Sequence, residues 1–406
     1  MSKLKMTSRL RAIVNNRQRL IMGLQQDVAI FSAHTLMQQS ADSAYDFYQE
    51  SNFWWLTGIE EPDWRLIIDT KKQHTTLIAP DIDETHHIFE GGLSFEEAKK
   101  ISGVDNVISS AEGEKLISSL VAQKVVVATL GKDPRAKYYN FTLNPAPLEL
   151  YRSLKQKFKS VVDCRLQLAR LRAIKQPHEI KAIRSATKLT VEAFEHVQKS
   201  MNNFKYEYDI EAEFDRIFKQ NASCHAYSPI IAGNERATTL HYTKNNQPLS
   251  DGLVLIDVGA RVDGYAADVT RTYSYGKPSA RQQQVHQAVA RAHQQIIALL
   301  GPGLAVAEYH DKVDNIMKAA LADLGLLKKP KDYRTYFPHA ISHGLGVDVH
   351  DALGQPTEFQ ENMVLTVEPG VYIPEEGIGV RIEDDILITK DGVENLSSSL
   401  PVNLIQ

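Results

Sequence analysis

Two aspartates enclose a glycine-containing bend in an apolar part of the chain, in the segment DVGARVDGYAAD, which begins at Asp257 and ends at Asp268. The run GLVLIDVG before the bend predicts a buried strand, and the run GYAADVTRTYSYG predicts a second one. The Asp-Gly pair between them predicts a tight turn, so we expect both aspartates on the paired strands of a hairpin. A buried carboxylate is unfavourable unless it is paired or binds a metal, and adjacent carboxylates repel each other unless a proton or a cation intervenes. The two aspartates therefore either cap a turn and end a strand or share a source of positive charge, and the rest of the chain must decide.

Composition limits the classes of partner. The chain has 406 residues, enough for roughly two or three domains. Its hydrophobic content of 43% and charged content of 24% are typical of a soluble globular protein. A formal net charge of -4 does not favour binding to nucleic acid or to an anionic membrane. No apolar run approaches the roughly 18 residues of a transmembrane helix, so we expect neither a nucleic-acid nor a membrane partner.

The two cysteines, Cys164 and Cys224, are far apart and do not form a C-x-x-C pair. This usage indicates a reducing compartment, which we take to be the cytoplasm, and argues against a disulfide scaffold or a structural zinc site. Residues 1–26 carry lysines and arginines but no acid, as an organellar presequence does. The roughly helical spacing of Leu10, Ile13 and Leu20 instead favours a first helix of the N-terminal domain.

Strands and helices alternate in the first part of the chain. Strands are predicted at 27–33, 64–69, 74–80 and 124–131, and helices at 94–102 and 113–123. The alternation indicates a small α/β domain with a largely parallel sheet, which we place at residues 1–165. Its three tryptophans, Trp54, Trp55 and Trp64, predict core or interface packing, with the wall of a substrate pocket as the alternative.

A different pattern begins near residue 166. Pro177 opens a strong helical pattern, and further helices are predicted at 207–219, 279–300 and 305–325, with strands between and after them. This order indicates helices packed on a mostly antiparallel sheet. We therefore predict an α+β domain at residues 166–406.

More candidate ligands follow the aspartate hairpin. The segment FPHAISHGLGVDVHD contains three histidines, and VLTVEPGVYI places Glu368 between an apolar strand and a Pro-Gly turn. In GIGVRIEDDILIT, Glu383 lies in a further strand, and Arg381 is on the same face because residues two apart in a strand point the same way. The histidines are His339, His343 and His350.

Together, Asp257, Asp268, Glu368, Glu383 and one of the three histidines would offer four carboxylates and one imidazole. This set is too rich in oxygen for a structural zinc site. It suits two harder divalent ions such as Mn²⁺ or Co²⁺, bridged by carboxylates. A single-metal oxygenase site with two histidines and one carboxylate would leave the remaining carboxylates unexplained.

The order Asp, Asp, His, Glu, Glu in the motifs GYAADVTRT, SHGLG, TVEPG and GIGVRIEDD resembles the pita-bread metallopeptidases. Within that family the chain is most similar to the aminopeptidase P branch, the Xaa-Pro aminopeptidases, and the Xaa-Pro dipeptidases (prolidases) are close relatives. The segment SADSAYDFYQESNFWWLTGIEEPD resembles the N-terminal domain of the same branch. The resemblance implies an α+β protein in which a C-terminal pita-bread domain follows a smaller α/β domain.

The resemblance also implies roles for individual residues. Asp257 would chelate one metal, His343 and Glu368 the second, and Asp268 and Glu383 both. His241, His339 and His350 would contact substrate and assist catalysis. Glu368 or Glu383 would accept and relay a proton. Arg381 and Asp42 would belong to a hydrogen-bonded proton path.

The implied activity is release of the N-terminal residue from peptides with proline in second position, by attack of a hydroxide that bridges two metal ions. We expect Mn²⁺, with Co²⁺ or Zn²⁺ as alternatives, and a homodimer or homotetramer. A dipeptidase, a methionine-aminopeptidase-like enzyme and a non-catalytic binding protein on the same scaffold are the competing hypotheses. Two departures concern the substrate pocket: the chain has FYQ at 47–49 where the family often has YRQ, and Gly344 where it often has an aromatic residue.

Overall fold

The computed structural model describes residues 7–134 and 141–404. By its contacts the chain divides into two compact units, one ending at Leu171 and the other beginning at Arg172. This division falls within the helix Arg165–Ala173, whereas the predicted domain boundary after residue 165 lies at the start of that helix and remains a prediction. Within the described ranges, no helix combines the length and apolar character needed to cross a membrane.

The first unit alternates between strands and helices. Its strands are β1 (Val28–Ser32), β2 (Gln38–Ser40), β3 (Ser43–Ala44), β4 (Arg65–Asp69), β5 (His74–Ile78), β6 (Asn106–Ile108), β7 (Val127–Thr129) and β8 (Val161–Asp163). Its helices are α1 (Ser8–Gly23), α2 (Ser51–Thr57), α3 (Glu84–Glu90), α4 (Phe95–Ser102), α5 (Ser110–Ala122), α6 (Ala146–Lys157) and α7 (Arg165–Ala173), the last of which crosses into the second unit.

Six of these strands form one sheet in the order β6-β5-β4-β1-β7-β8. The pairs β5–β6, β1–β7 and β7–β8 are parallel, as predicted, but β1–β4 and β4–β5 are antiparallel. Strands β4 and β5 are joined by a short turn with no helix, and a connection of that length permits only a hairpin. The prediction of a largely parallel sheet is therefore correct for the flanks of the sheet and wrong for its centre.

Helix α1 confirms the prediction of an N-terminal helix. The Thr7 hydroxyl caps it by accepting a hydrogen bond from the Leu10 amide. Its buried face includes Arg17, whose guanidinium donates to the carbonyl oxygen of Leu56 at 2.6 Å. The three tryptophans of this unit are all buried, so their predicted role in core packing is confirmed.

The second unit contains the remaining elements. Its strands are β9 (Cys224–His225), β10 (Ile230–Gly233), β11 (Gly252–Val258), β12 (Ala260–Val262), β13 (Tyr265–Ala266), β14 (Val269–Tyr275), β15 (Val364–Val367), β16 (Gly370–Ile373), β17 (Ile378–Arg381), β18 (Asp384–Thr389) and β19 (Gly392–Asn395). Its helices are α8 (Pro177–Ser200), α9 (Glu207–Gln220), α10 (Ala280–Ile297), α11 (Val306–Asp323) and α12 (Asp332–Tyr336), with short 3₁₀ turns at Met201–Asn203, Asn234–Thr238 and Pro374–Glu376.

Every strand pair described in the second unit is antiparallel, which confirms the α+β prediction. Apolar side chains form two main clusters. Helices α8 and α9 pack on β11 and β14 in one cluster, and α10 and α11 pack on β15, β17 and β18 in the other. The strands that carry the predicted ligands are thus covered by helices and held rigidly.

A buried ion pair joins β14 to β18. The guanidinium of Arg271 donates to Asp384 at 2.6 Å and to the carbonyl oxygens of Glu383 and Leu400 at 2.7 and 2.9 Å. Both side chains of the pair are almost fully buried. Burial opposes ionisation of Asp384, but the charges of Arg271 and His293 and the hydrogen bonds from Ser397 and Arg271 together outweigh it and lower the pKa of Asp384 to about 2. The pair therefore fixes the backbone at Glu383, a predicted metal ligand.

We predict that Arg271→Met lowers the free energy of unfolding of the second unit by about 3–5 kcal/mol, because it leaves the Asp384 carboxylate buried without its cation. The matched control is Arg281→Met, which breaks the partly exposed pair with Glu376 and should lower it by less than about 1 kcal/mol. Urea unfolding measures both effects. Equal effects of the two substitutions would contradict the prediction.

A second prediction concerns His286 on α10, which is 2% exposed. Burial lowers its pKa to about 4, so it is neutral in the folded protein at pH values where the unfolded chain protonates it. The stability that the neutral, buried imidazole contributes is fully present above pH 6.5, and it is lost as the pH falls towards 4 because the unfolded chain then binds a proton that the folded protein does not. His286→Gln should therefore reduce the acid-dependent loss of unfolding free energy by up to about 3 kcal/mol. The exposed His310 offers the control His310→Gln, and a pH dependence for His286→Gln that matches wild type would refute the prediction.

Candidate metal centre

The predicted pairing of the strands around the two aspartates is confirmed. Strand β11 pairs with β14 so that Asp257 lies opposite Thr270, and Asp268 immediately precedes β14. Between them, β12 and β13 form a small inserted hairpin with the predicted Asp-Gly turn, at Asp263 and Gly264, which have φ values of 49° and 82°. The close approach of the two strands requires a glycine at position 259, because a Cβ there would lie 1.8 Å from the carbonyl oxygen of Ala267.

The carboxylates of Asp257 and Asp268 are close enough for both to contact the hydroxyl of Tyr227. This hydroxyl oxygen lies 2.6 Å from Oδ1 of Asp257 and 2.6 Å from Oδ1 of Asp268. A hydroxyl has one proton and can donate it to only one of them at a time. Burial, and then the charges of the two carboxylates, raise the pKa of Tyr227 well above its usual range, so it stays protonated.

Glu383 approaches from a different pair of strands. It lies between β17 and β18 and forms a single bridge with Thr270, whose hydroxyl donates to Oε2 of Glu383 at 2.7 Å. Arg381, at the end of β17, is on the same face as predicted, with its Nε 4.0 Å from Oε2 of Glu383. The Arg381 guanidinium also donates to Oδ2 of Asp257 at 2.5 Å and to the hydroxyl of Tyr372 at 2.9 Å.

The loop before β15 brings in the imidazole of His343. Its Nε2 lies 3.4 Å from Oδ2 of Asp268 and 3.5 Å from Oε1 of Glu368. The backbone of β15 holds this loop, because the amide of Thr366 donates to the carbonyl oxygen of His343 at 2.9 Å. The Thr366 hydroxyl also donates to Oε1 of Glu368 at 3.2 Å.

The structure brings all the sequence-predicted metal ligands together. Three overlapping sets of side chains each offer ligand atoms that lie within 4.8 Å of one another. The sets are Asp257, Asp268 and Glu383; His343, Glu368 and Glu383; and Asp268, His343 and His350.

The charges of these residues fit divalent cations. Asp257, Asp268 and Glu383 are only 7%, 5% and 2% exposed. Burial, and then the charges of the neighbouring carboxylates, raise the pKa of Glu383 well above its usual range. Burial likewise raises the pKa of Asp257, even though Arg381 opposes it. The cluster contains four carboxylates, whereas Arg381 and the imidazole of His343 can each carry a positive charge. Negative charge is therefore in excess, and metal ions would neutralise it.

His343 responds to the same negative charge. Burial alone would lower its pKa, but the hydrogen bond to Asp268 and the charges of Glu368 and Asp268 raise it to about 9. A proton and a metal ion would compete for Nε2, since a metal binds only the neutral imidazole.

The other sequence-predicted residues surround this cluster. His339 lies with Nε2 2.9 Å from the Tyr372 hydroxyl and Nδ1 3.3 Å from Oε2 of Glu368. The ring of His350 packs against that of His343 with centroids 4.3 Å apart. Burial, and then the charge of His343, lower the pKa of His350 to about 4, and the charge of His241 contributes in the same direction.

His241 and Asp42 are both exposed and lie outside the helices and strands. His241 lies on an exposed loop after the 3₁₀ turn Asn234–Thr238, near enough to His350 to affect its pKa. Asp42 lies in the exposed turn between β2 and β3 of the first unit.

The segment that carries His343 and His350 is anchored by a buried ionic cluster. Asp351 accepts from Arg172 at 2.9 Å and lies 3.5 Å from the ammonium group of Lys175, and all of these side chains are nearly fully buried. Gly344 pairs with Asp351, and a Cβ at Gly344 would lie 2.4 Å from the carbonyl oxygen of Asp351. An aromatic side chain at this position therefore does not fit the present backbone.

Sequence reasoning missed three hydroxyl groups of this site: those of Tyr227, Thr270 and Tyr372. Tyr227 lies in an irregular segment with no periodicity to indicate its direction. Tyr372 was within reach of prediction, because Arg381 pairs with Gly370 in the β16–β17 hairpin and Tyr372 shares a face with Gly370.

We predict that Asp268→Asn weakens Mn²⁺ binding by roughly 100-fold or more, because it removes a charge that belongs to two of the three ligand sets. Mn²⁺ should raise the unfolding temperature of the wild type but not of this variant, since a ligand stabilises only the state it binds. The matched control is Asp263→Asn in the nearby turn, where asparagine tolerates the positive φ. Calorimetric titration and thermal unfolding measure the effects, and wild-type affinity in Asp268→Asn would exclude the site.

Comparison with known proteins agrees with the motifs and the geometry. Residues 181–390 match metallopeptidase family M24, and residues 13–128 match the N-terminal domain of aminopeptidase P. The chain is 34% identical to the Xaa-Pro aminopeptidase of Escherichia coli (strain K12), over 95% of this chain and 93% of that protein. It is 32% identical to Xaa-Pro aminopeptidase 3 of Mus musculus, over 97% of this chain and 82% of that protein.

A solved structure is also similar over nearly the whole chain. Zn-substituted E. coli aminopeptidase P in complex with product has a TM-score of 0.81 and 32% identity, and the match covers 97% of this chain and 96% of that one. The resemblance first indicated by the motifs is thereby confirmed. The chain belongs to metallopeptidase family M24 and carries the N-terminal domain of aminopeptidase P.

Proposed function

We propose that this protein is an Xaa-Pro aminopeptidase, which releases the N-terminal residue from peptides that have proline in second position. The observation that carries the proposal is the convergence of four carboxylates and His343 in one largely buried cluster. Its similarity to Xaa-Pro aminopeptidases extends over nearly the whole chain, which supports the same chemistry and substrate class.

Two divalent metal ions would be held by Asp257, Asp268, His343, Glu368 and Glu383. We propose Mn²⁺, because a set with four carboxylates and one imidazole favours harder ions, and Co²⁺ or Zn²⁺ are the alternatives. When bound, the ions supply a water of lowered pKa as nucleophile and polarise the scissile carbonyl group.

The residues of the chain orient the reacting groups. Arg381 acts through Asp257 and Tyr372, to which its guanidinium donates, so it is a positioning residue that holds the carboxylate in place. Glu368 is held by hydrogen bonds from Thr366 and His339, where it is available as a proton acceptor.

Three histidines complete the proposed site. His350 carries a neutral imidazole beside His343, suited to hydrogen-bond the carbonyl oxygen of a substrate as charge develops on it. His339 is oriented by the Tyr372 hydroxyl and would contact the substrate from the other side of Glu368. His241 would contact substrate from its exposed loop.

A substrate with proline in second position needs a binding site that does not depend on a hydrogen bond from the Xaa-Pro peptide group. The Xaa-Pro bond has no N–H, so a peptidase that binds its substrate as an added strand loses a hydrogen bond there. Contacts between the pyrrolidine ring and imidazole or aromatic rings do not need that hydrogen bond. His339 is the partly exposed member of such a ring cluster, since it packs against the buried rings of Tyr372 and Phe337 with centroids 5.5 and 4.9 Å apart, and it is the ring proposed to contact the proline.

The competing dipeptidase hypothesis needs a cation that clamps the free carboxylate after proline. Arg381 or an arginine of the N-terminal domain could supply that cation. Arg381 is 5% exposed and its guanidinium is occupied by Asp257 and Tyr372, which argues against Arg381 as the clamp, and the similarity to Xaa-Pro aminopeptidases supports the aminopeptidase.

We further propose a cytoplasmic location, which the free cysteines Cys164 and Cys224 support, and a homodimer or homotetramer. We also propose that the N-terminal domain spans residues 1–165 and the catalytic domain residues 166–406.

The test is hydrolysis of a matched pair of peptides, Ala-Pro-Ala-Ala and Ala-Pro, with added Mn²⁺ and with chelator. We expect cleavage of the tetrapeptide that is lost on chelation and in Asp268→Ala, while Asp263→Asn retains it. Ala-Pro should be cleaved roughly 10-fold more slowly or worse, because it lacks the contacts beyond proline that contribute to kcat. Cleavage of Ala-Pro alone would establish the dipeptidase instead, and wild-type rates in Asp268→Ala would exclude the proposed metal chemistry.

A further inference from the structure

A buried carboxylate lies at the start of helix α9. Glu207 is 0% exposed, and its two oxygens accept four hydrogen bonds. Oε1 accepts from the amide of Gly233 at 3.0 Å and from Nε of Arg236 at 2.6 Å, and Oε2 accepts from the hydroxyl of Tyr242 at 2.8 Å and from the amide of Gln247 at 3.0 Å. A carboxylate with this many donors is fully satisfied and rigid.

All four donors belong to residues 233–247, which comprise the last residue of β10 and most of the connection to β11, and this connection carries His241. Beyond the 3₁₀ turn Asn234–Thr238 this segment has no regular structure, so side-chain anchors determine its path. Asn245 is a second anchor, since its side chain accepts from the Ile231 amide at 2.9 Å and donates to Glu211 at 2.9 Å. Glu207 therefore holds both ends of the stretch from 242 to 247, and Asn245 holds its middle.

The His241 imidazole is exposed and has no hydrogen-bond partner among the residues that the structure describes. Its position is therefore set by the backbone rather than by contacts of its own ring. The adjacent residue, Tyr242, is the nearest anchored point along the chain. Burial, and then the hydrogen bond to Glu207, raise the pKa of Tyr242 to about 12, so the hydroxyl keeps its proton and remains a donor at neutral pH.

We propose that Glu207 and Tyr242 are positioning residues for the peptidase reaction: their hydrogen bond holds the backbone of His241 so that its imidazole faces the substrate beside His350. This inference rests on the proposed function, because it assigns the two residues an effect on the reaction through His241. It predicts that loss of one partly buried hydroxyl, that of Tyr242, impairs catalysis without removing any metal ligand.

The test is a double-mutant cycle with Tyr242→Phe and His241→Ala, assayed on Ala-Pro-Ala-Ala with Mn²⁺. Tyr242→Phe should lower kcat/KM by roughly 10-fold or more, because a small displacement of a group that contacts substrate has a large effect on rate. In the His241→Ala background the same change should have less than roughly a 2-fold effect, since the two residues act as one unit. Bound metal should be unchanged throughout.

The matched control is Tyr208→Phe, next to Glu207 on helix α9. Tyr208 is 46% exposed and stacks on Tyr206, so removal of its hydroxyl should leave kcat/KM unchanged. Multiplicative effects of Tyr242→Phe and His241→Ala, or loss of bound metal in Tyr242→Phe, would overturn the inference while the proposed function stands. A wild-type protein that does not cleave Ala-Pro-Ala-Ala would overturn the proposed function and the inference together.

Discussion

Repulsion between carboxylates that are largely withdrawn from water is the interaction on which the rest of the second unit depends. Asp257, Asp268 and Glu383 are each at most 7% exposed, and Glu368 lies close by. Such a cluster is tolerated only where positive charge and hydrogen-bond donors surround it. Arg381 and the Tyr227 hydroxyl provide part of this compensation, and the remaining excess of negative charge is the reason for proposing the cluster as a site for divalent ions.

The carboxylates and the imidazoles of this site come from different kinds of structural element. The aspartates and Glu383 lie on or beside antiparallel strands that are covered by helices, where the backbone allows little movement. The imidazoles come from irregular segments, which need anchors of their own. Buried ionic groups provide them: Asp351 with Arg172 and Lys175 anchors the segment of His343 and His350, and Glu207 anchors the loop of His241.

Much of the fold could be predicted from periodicity. The apolar run around Asp257 and the helical pattern after Pro177 each led to an element with nearly the expected bounds. The prediction of parallel strands was wrong for the centre of the first sheet, because the short turn between β4 and β5 makes them an antiparallel hairpin, which the general alternation of strands and helices does not indicate. Tyr227 could not be predicted, since an isolated tyrosine in an irregular segment carries no signal of what it contacts.

The sequence by itself determined the chemistry of the centre, because residue types and their places at the ends of apolar runs identify buried carboxylates that need cations. Only the tertiary structure decided how these residues share their partners. Asp257 and Asp268 converge on one hydroxyl, Arg381 is occupied by Asp257 and Tyr372, and Glu207 holds a loop that begins far from it in the sequence. The physical reason is that a ligand's identity is local, whereas its distance to another ligand depends on strand register and on packing between elements remote in the chain.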